Sequence, residues 1–126
     1  MKPQIDFKEH RKMRIRLLDE SFHKHEVCKL LLVILLSNKH KDWGIYTEYV
    51  LKDGSIPDVC CDTGNGLILY ECQKAISPSW KEKIASRDEN MSIQMLQKVD
   101  TIIVPIQELS DNLNNLAKEL KEKYLV

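Results

Sequence analysis

The apolar positions change their period several times along the chain, and each change marks an element. Residues 7–20 mix charge with an apolar stripe at Phe7, Ile15 and Leu18, which predicts a basic N-terminal arm or helix over residues 1–22. From His23 to Ser37 the pattern is helical and apolar nearly all round, with Glu26 near the start and Val27, Cys28 and the run Leu30–Leu36 after it. A helix of that kind is expected to be sandwiched in a core. It stops at the polar stretch Ser37-Asn38-Lys39-His40-Lys41-Asp42.

The period then falls to two. Trp43–Leu51 is aromatic and β-branched, and Lys52-Asp53-Gly54-Ser55 supplies a turn. A second strand is expected over Ile56–Asp62 and a third over Leu67–Gln73, separated by Thr63-Gly64-Asn65-Gly66, so that the three form a meander. Ser77-Pro78 reads as a helix cap with proline at the first helical position, and a weaker helical signal continues to Leu96. Thr101–Ile106 reads as a short buried strand with Pro105 near its end, since proline cannot donate to an interior ladder. Leu109, Leu113, Leu116, Leu120 and Tyr124 then recur every three or four residues, an amphipathic closing helix within residues 107–126.

Length and composition narrow the class. The 126 residues suit a single domain with its core at 23–106, and 43% hydrophobic with 30% charged content excludes collagen, low-complexity disorder and a disulfide-dense scaffold. Cys28, Cys60, Cys61 and Cys72 form no CxxC pair and have no histidine at zinc-finger spacing, so they read as buried small residues in a reduced compartment. The start lacks a leader-like apolar segment, and the longest apolar run, seven residues, is far short of a bilayer span. An intracellular, cytoplasmic protein with no membrane partner is expected. Net charge is zero, yet residues 1–41 hold ten basic residues against five acidic ones, so the remainder is acidic. A basic arm can steer a polyanion, while an acidic body suits carboxylates around a divalent cation; two unrelated solvated faces would give the same arithmetic.

Acidic residues inside apolar strands need a cause, because burying a carboxylate costs several kcal/mol unless it is paired or binds a metal. Asp58, directly after Pro57, and Glu71, within Leu67–Gln73, are the two that stand out. In an antiparallel meander they converge near one strand end, with the Cys72 carbonyl as a further oxygen and Glu26 as a third carboxylate if the first helix crosses the same face. Few carboxylates with retained waters suit Mg²⁺ or Mn²⁺. Each residue also has a plainer role: a turn acceptor for Asp58, a buried ion pair for Glu71, an ordinary helix-start acid for Glu26. His23 and His25, two apart, share no helical face and are expected to be solvated or to face phosphate.

Pro57-Asp58, twelve residues, then Glu71-Cys72-Gln73-Lys74, in a helix-strand-strand-strand-helix-strand order, resembles the PD-(D/E)xK nuclease superfamily, and within it small archaeal and viral enzymes of the Holliday-junction-resolvase type. The resemblance spans roughly Glu26–Ile106. It implies a restriction-endonuclease-like α/β fold, a mixed central sheet with flanking helices, and Mg²⁺-dependent DNA cleavage, with branched recombination intermediates as one substrate class. It places metal ligation on Asp58 and Glu71, with Glu26 assisting, beside the Cys72 carbonyl that the strand itself offers. Gln73 stands where that family has its lysine. Gln73 would then orient the attacking water, and Lys74 or Lys81 would supply positive charge. Lys8, Arg11, Lys12, Arg14 and Arg16 would track DNA phosphates, and a homodimer is one expected assembly. Two alternatives compete: a nuclease fold without the chemistry, serving as a nucleic-acid-binding or assembly module, and a winged-helix regulator with the strands of Trp43–Gln73 as its wing.

Overall fold

The apolar run after Glu26 forms helix α1 (His23–Lys39), the first element of a computed structural model that describes residues 23–126. The stripe of Phe7, Ile15 and Leu18 and the five basic residues Lys8, Arg11, Lys12, Arg14 and Arg16 lie outside the described residues. Strands β1 (Gly44–Tyr46), β2 (Val59–Asp62) and β3 (Gly66–Gln73) follow, then α2 (Pro78–Met95), β4 (Lys98–Pro105), a 3₁₀ turn (Ile106–Glu108) and α3 (Leu113–Lys123).

The strands lie in the order β1-β2-β3-β4. β1, β2 and β3 are antiparallel neighbours, and β4 runs parallel to β3 along its whole length, from Gly66↔Lys98 to Gln73↔Pro105. A parallel neighbour requires a crossover, and α2 supplies it. Period-two alternation sorts the side chains of the sheet. Val59, Cys61, Ile68, Tyr70, Cys72, Ile102 and Val104 pack with Cys28, Leu32 and Leu36 of α1 and with Leu116 and Leu120 of α3. Cys60, Leu67, Leu69 and Val99 pack on the other face with Leu51 and with Met91 and Met95 of α2. The strands of the meander are therefore enclosed on both faces in a four-stranded sheet, and the winged-helix alternative does not describe this architecture. Among the described residues no helix is long and apolar enough to cross a membrane.

Several element bounds differ from the sequence reading, each for a local reason. β1 ends at Tyr46 rather than Leu51, because Glu48 takes a left-handed backbone (φ 57°) that turns the chain out of the sheet. β2 begins at Val59 rather than Ile56; Pro57 has no N–H to give the ladder, and Asp58 falls one residue before the strand. The Asp53-Gly54 turn closes the tip of the long β1–β2 connection, with Gly54 at φ 86° and the Asp53 carboxylate accepting from the Ser55 N–H at 2.9 Å. α2 is a continuous helix capped by Ser77, whose hydroxyl accepts the Trp80 N–H at 3.1 Å; its weak signal reflects a helix with Met91 as its one buried residue. β4 starts at Lys98 because Lys98 and Asp100 point to solvent around the buried Val99. α3 starts at Leu113 because Asn112 caps it, accepting the Asn115 N–H at 3.1 Å, so Leu109 is buried ahead of the helix instead of within it.

Candidate active site

β2 and β3 determine where Asp58 and Glu71 meet. Val59 pairs with Tyr70, so continuing that register by one residue sets Asp58 opposite Glu71. Tyr70 and Cys72 point the other way, into the core beneath α1. The Asp58 carboxylate lies at the open end of β2: Oδ2 accepts the Cys72 backbone N–H at 2.7 Å, and Oδ1 is 3.0 Å from Nε2 of His25 on α1. In a strand the N–H and C=O of one residue point to the same side, so the Cys72 carbonyl is also directed to the Asp58 side.

Glu71 is 8% exposed. Its Oε2 receives Nη1 of Arg87 at 2.7 Å, while Nη2 of Arg87 donates to Thr101 Oγ1 at 2.9 Å and Nε to Asp88 Oδ1 at 3.3 Å. One guanidinium thus ties α2 to β3 and β4 and holds Glu71 in place. Burial pushes the Glu71 carboxyl above its ordinary value; the Arg87 hydrogen bond opposes this, and the nearby Asp58 charge adds to it. The two carboxylates are therefore within electrostatic reach of one another.

A second cluster adjoins the first on the α1 side. Lys29 is 2% exposed, with Nζ 3.2 Å from Glu26 Oε2 and 3.5 Å from Glu48 Oε1. Glu26 Oε2 is buried and accepts no aligned hydrogen bond, so its contact with Lys29 is ionic. His25 links the clusters: its hydrogen bond to Asp58 raises its pKa, burial opposes that, the Asp58 and Glu26 charges raise it and the Lys29 charge lowers it.

Among the described residues Glu26 and Glu48 thus share Lys29, Glu71 and Asp88 share Arg87, and Asp58 meets His25. The donor set fits a hard divalent cation. A carboxylate has about four lone-pair positions, so Asp58 and Glu71 each keep capacity beyond their present partners, and the Cys72 carbonyl faces the same side. Asp58 and Glu71 are the residues that would hold the ion. Among the described residues no three His, Cys, Asp or Glu side chains converge on one point, so the arrangement is a carboxylate pair, with Glu26 in its own ion pair.

The other sequence-derived candidates are spread more widely. Gln73 is half-buried at the end of β3, on the Glu71 face by strand parity, and Lys74 is exposed just beyond the strand. Lys81 is exposed beside the groove between α2 and β4, with Asp88 and Asp100. The α2 cation at Glu71 is instead Arg87; six residues separate the two, which turns them about 120° apart on a helix. His23 is exposed, whereas His25 is half-buried with its Nε2 on Asp58.

His25, Lys29, Glu48 and Arg87 were missed by sequence reasoning. Lys29 carried a legible signal, a lone cation three residues after Glu26 at the edge of an apolar run. Arg87 and Glu48 carried none, because their partners are distant in sequence. No family model, curated protein or solved structure matches the chain.

Proposed function

We propose that this chain is a Mg²⁺- or Mn²⁺-dependent DNA endonuclease with a restriction-endonuclease-like core. The observation that carries the reading is the position of Asp58 one residue before the Val59–Tyr70 pair of β2 and β3, with its Oδ2 at 2.7 Å from the N–H of Cys72, the residue next in the chain to Glu71. The order α1-β1-β2-β3-α2-β4, with β4 parallel to β3, is the element order that the PD-(D/E)xK resemblance implied, which supports it further. Bound at Asp58 and Glu71, the ion would polarise a phosphoryl oxygen and lower the pKa of a coordinated water.

The protein's own groups do the rest. Arg87 positions Glu71 and opposes the upward push that burial gives its carboxyl, and His25 and the Cys72 N–H orient Asp58. Gln73, on the Glu71 face at the strand end, is placed to hold a water by hydrogen bonding. Lys74, at the exposed end of the same strand, supplies charge for phosphate, and Lys8, Arg11, Lys12, Arg14 and Arg16 engage the backbone of the DNA. A homodimer would present two such sites to one substrate, and sedimentation with and without DNA measures that.

The test is cleavage of linear, single-stranded and branched DNA in Mg²⁺, Mn²⁺ and EDTA by the wild type, Asp58→Ala and Glu71→Ala. Metal-dependent cleavage lost in both variants, with unchanged circular dichroism, is expected. Undiminished cleavage by Asp58→Ala would refute the assignment. One observation favours a second reading: Glu26, Asp58 and Glu71 each already have an internal partner, Lys29, His25 and Arg87, as expected of a nuclease fold retained for binding or assembly. That reading predicts DNA binding without Mn²⁺ binding at Asp58 and Glu71.

A further inference from the structure

The outer edge of β4 is closed at both ends and open between them. β4 is the last strand of the sheet, so its residues alternately turn their backbone groups toward β3 and away from it. The Lys98 carbonyl lies against Gly66 of β3, which directs Lys98, Asp100, Ile102 and Val104 inward. Val99, Thr101, Ile103 and Pro105 are therefore directed outward. The Val99 N–H is taken by Ser92 Oγ of α2 at 3.0 Å, and Pro105 has no N–H to leave unpaired. Among the described residues no strand covers the N–H and C=O groups of Thr101 and Ile103. Their side chains face a groove against α2 that Ile84 and Ile93 extend, with Ile93 67% exposed. A sheet edge with half-buried Ile102 and Ile103 at its centre is a template for another strand.

We propose that the strand is β4 of a second copy of this chain, paired antiparallel about a two-fold axis at Ile102. The closed ends select that register. Thr101 opposite the copy's Ile103, and Ile103 opposite its Thr101, engages every open N–H and C=O of both residues. A shift of two residues one way needs the Val99 N–H that Ser92 holds, and a shift the other way needs an N–H that Pro105 lacks. The open segment is thus complementary to itself, as a two-fold interface requires. Charge agrees with the same axis. Ser92 lies at Val99, and the three residues from Val99 to Ile102 span about 10 Å of strand, or roughly six or seven residues of helix. Counted back along α2, the axis passes near Ala85, so the exposed Lys81 of one copy stands beside the exposed Glu89 of the other. This gives the homodimer considered above its surface; it rests on that assembly and not on the metal at Asp58 and Glu71.

The experiment is sedimentation equilibrium of the full chain in EDTA over a range of concentrations. The wild type is expected to dimerise. Ile103→Lys, which sets a charge on the open edge, should leave a folded monomer by circular dichroism. Lys81→Glu and Glu89→Lys should each raise the dimer dissociation constant roughly tenfold, and the two together should return it to near the wild-type value. That exchange of surface charges decides the matter if Ile103→Lys does not fold. Ile102→Cys should give a disulfide-linked dimer under mild oxidation, since the axis sets the two cysteines opposite each other. A dimer that Ile103→Lys leaves intact, or that the double exchange fails to restore, is built on another surface and overturns this one while the homodimer stands. A wild type that stays monomeric ends both. If its Thr101 and Ile103 amides are then protected from hydrogen exchange, the edge is covered by the chain's own residues 1–22.

Discussion

Replacing Arg87 with methionine keeps an apolar stem of similar reach and removes the guanidinium that holds Glu71. Both side chains of the pair are close to a tenth exposed, at 10% and 11%, so the partner left behind is a buried carboxylate with no counter-ion. Breaking such a pair costs roughly 3–5 kcal/mol; the residual exposure and the Asp58 backbone N–H, which still donates to Glu71, favour the lower end, about 3 kcal/mol. For a chain of this size that corresponds to a melting temperature lower by roughly 10–15 °C. The sign of the pH dependence follows from Glu71. Its folded-state pKa is already raised by burial, and losing Arg87 raises it further. The folded state then holds a proton that the unfolded state, titrating near 4.5, has released, so the penalty is full above the folded pKa and shrinks as pH falls toward the unfolded value. Urea unfolding followed by circular dichroism at pH 8 and pH 5 should show the gap between Arg87→Met and the wild type narrowing at the lower pH. Adding Glu71→Gln should recover most of the loss at pH 8. A loss under about 1 kcal/mol, or an equal loss at both pH values, would refute the assignment of Arg87 as the counter-ion of Glu71.

Other outcomes follow from the same packing. All four cysteines are free and buried, and burial pushes the Cys28 thiol up to about 11 and those of Cys60 and Cys61 up to about 12, so a thiol reagent at pH 8 should react at the rate of unfolding, and at once in denaturant. Gly66→Ala would drive a Cβ into the Lys98 carbonyl where β3 and β4 begin, and should cost about 1–3 kcal/mol in urea unfolding. Tyr70→Phe removes the hydrogen bond from its buried hydroxyl to the Tyr124 carbonyl, 2.8 Å long, and should cost about 1 kcal/mol.

The order of elements and the meeting of Asp58 with Glu71 were legible because both follow from short-range pattern: a change of period from 3.6 to two, turns at Asp53-Gly54 and Gly64, and antiparallel register between adjacent strands. The interactions that set the charge of the site were not. His25 meets Asp58 across 33 residues, and Arg87 meets Glu71 only because α2 crosses over to bring β4 beside β3. Parity made His25 look solvated, since nothing local shows that a strand end lies above it. The ends of β1 and β4 were misjudged for a related reason. Glu48 turns out of an apparently continuous strand to reach Lys29, and the polar Lys98 and Asp100 mask an edge strand whose alternation is regular.

The central claim is that Asp58 and Glu71 share one divalent cation, and a crystal structure of the protein grown in Mn²⁺, with anomalous data, measures it most directly. One anomalous peak is predicted between the two carboxylates and the Cys72 carbonyl, at oxygen distances of about 2.0–2.3 Å, with Arg87 still on Glu71 and Lys29 still between Glu26 and Glu48. Saturating Mn²⁺ that leaves no peak there, with Asp58 still held by His25, would contradict it.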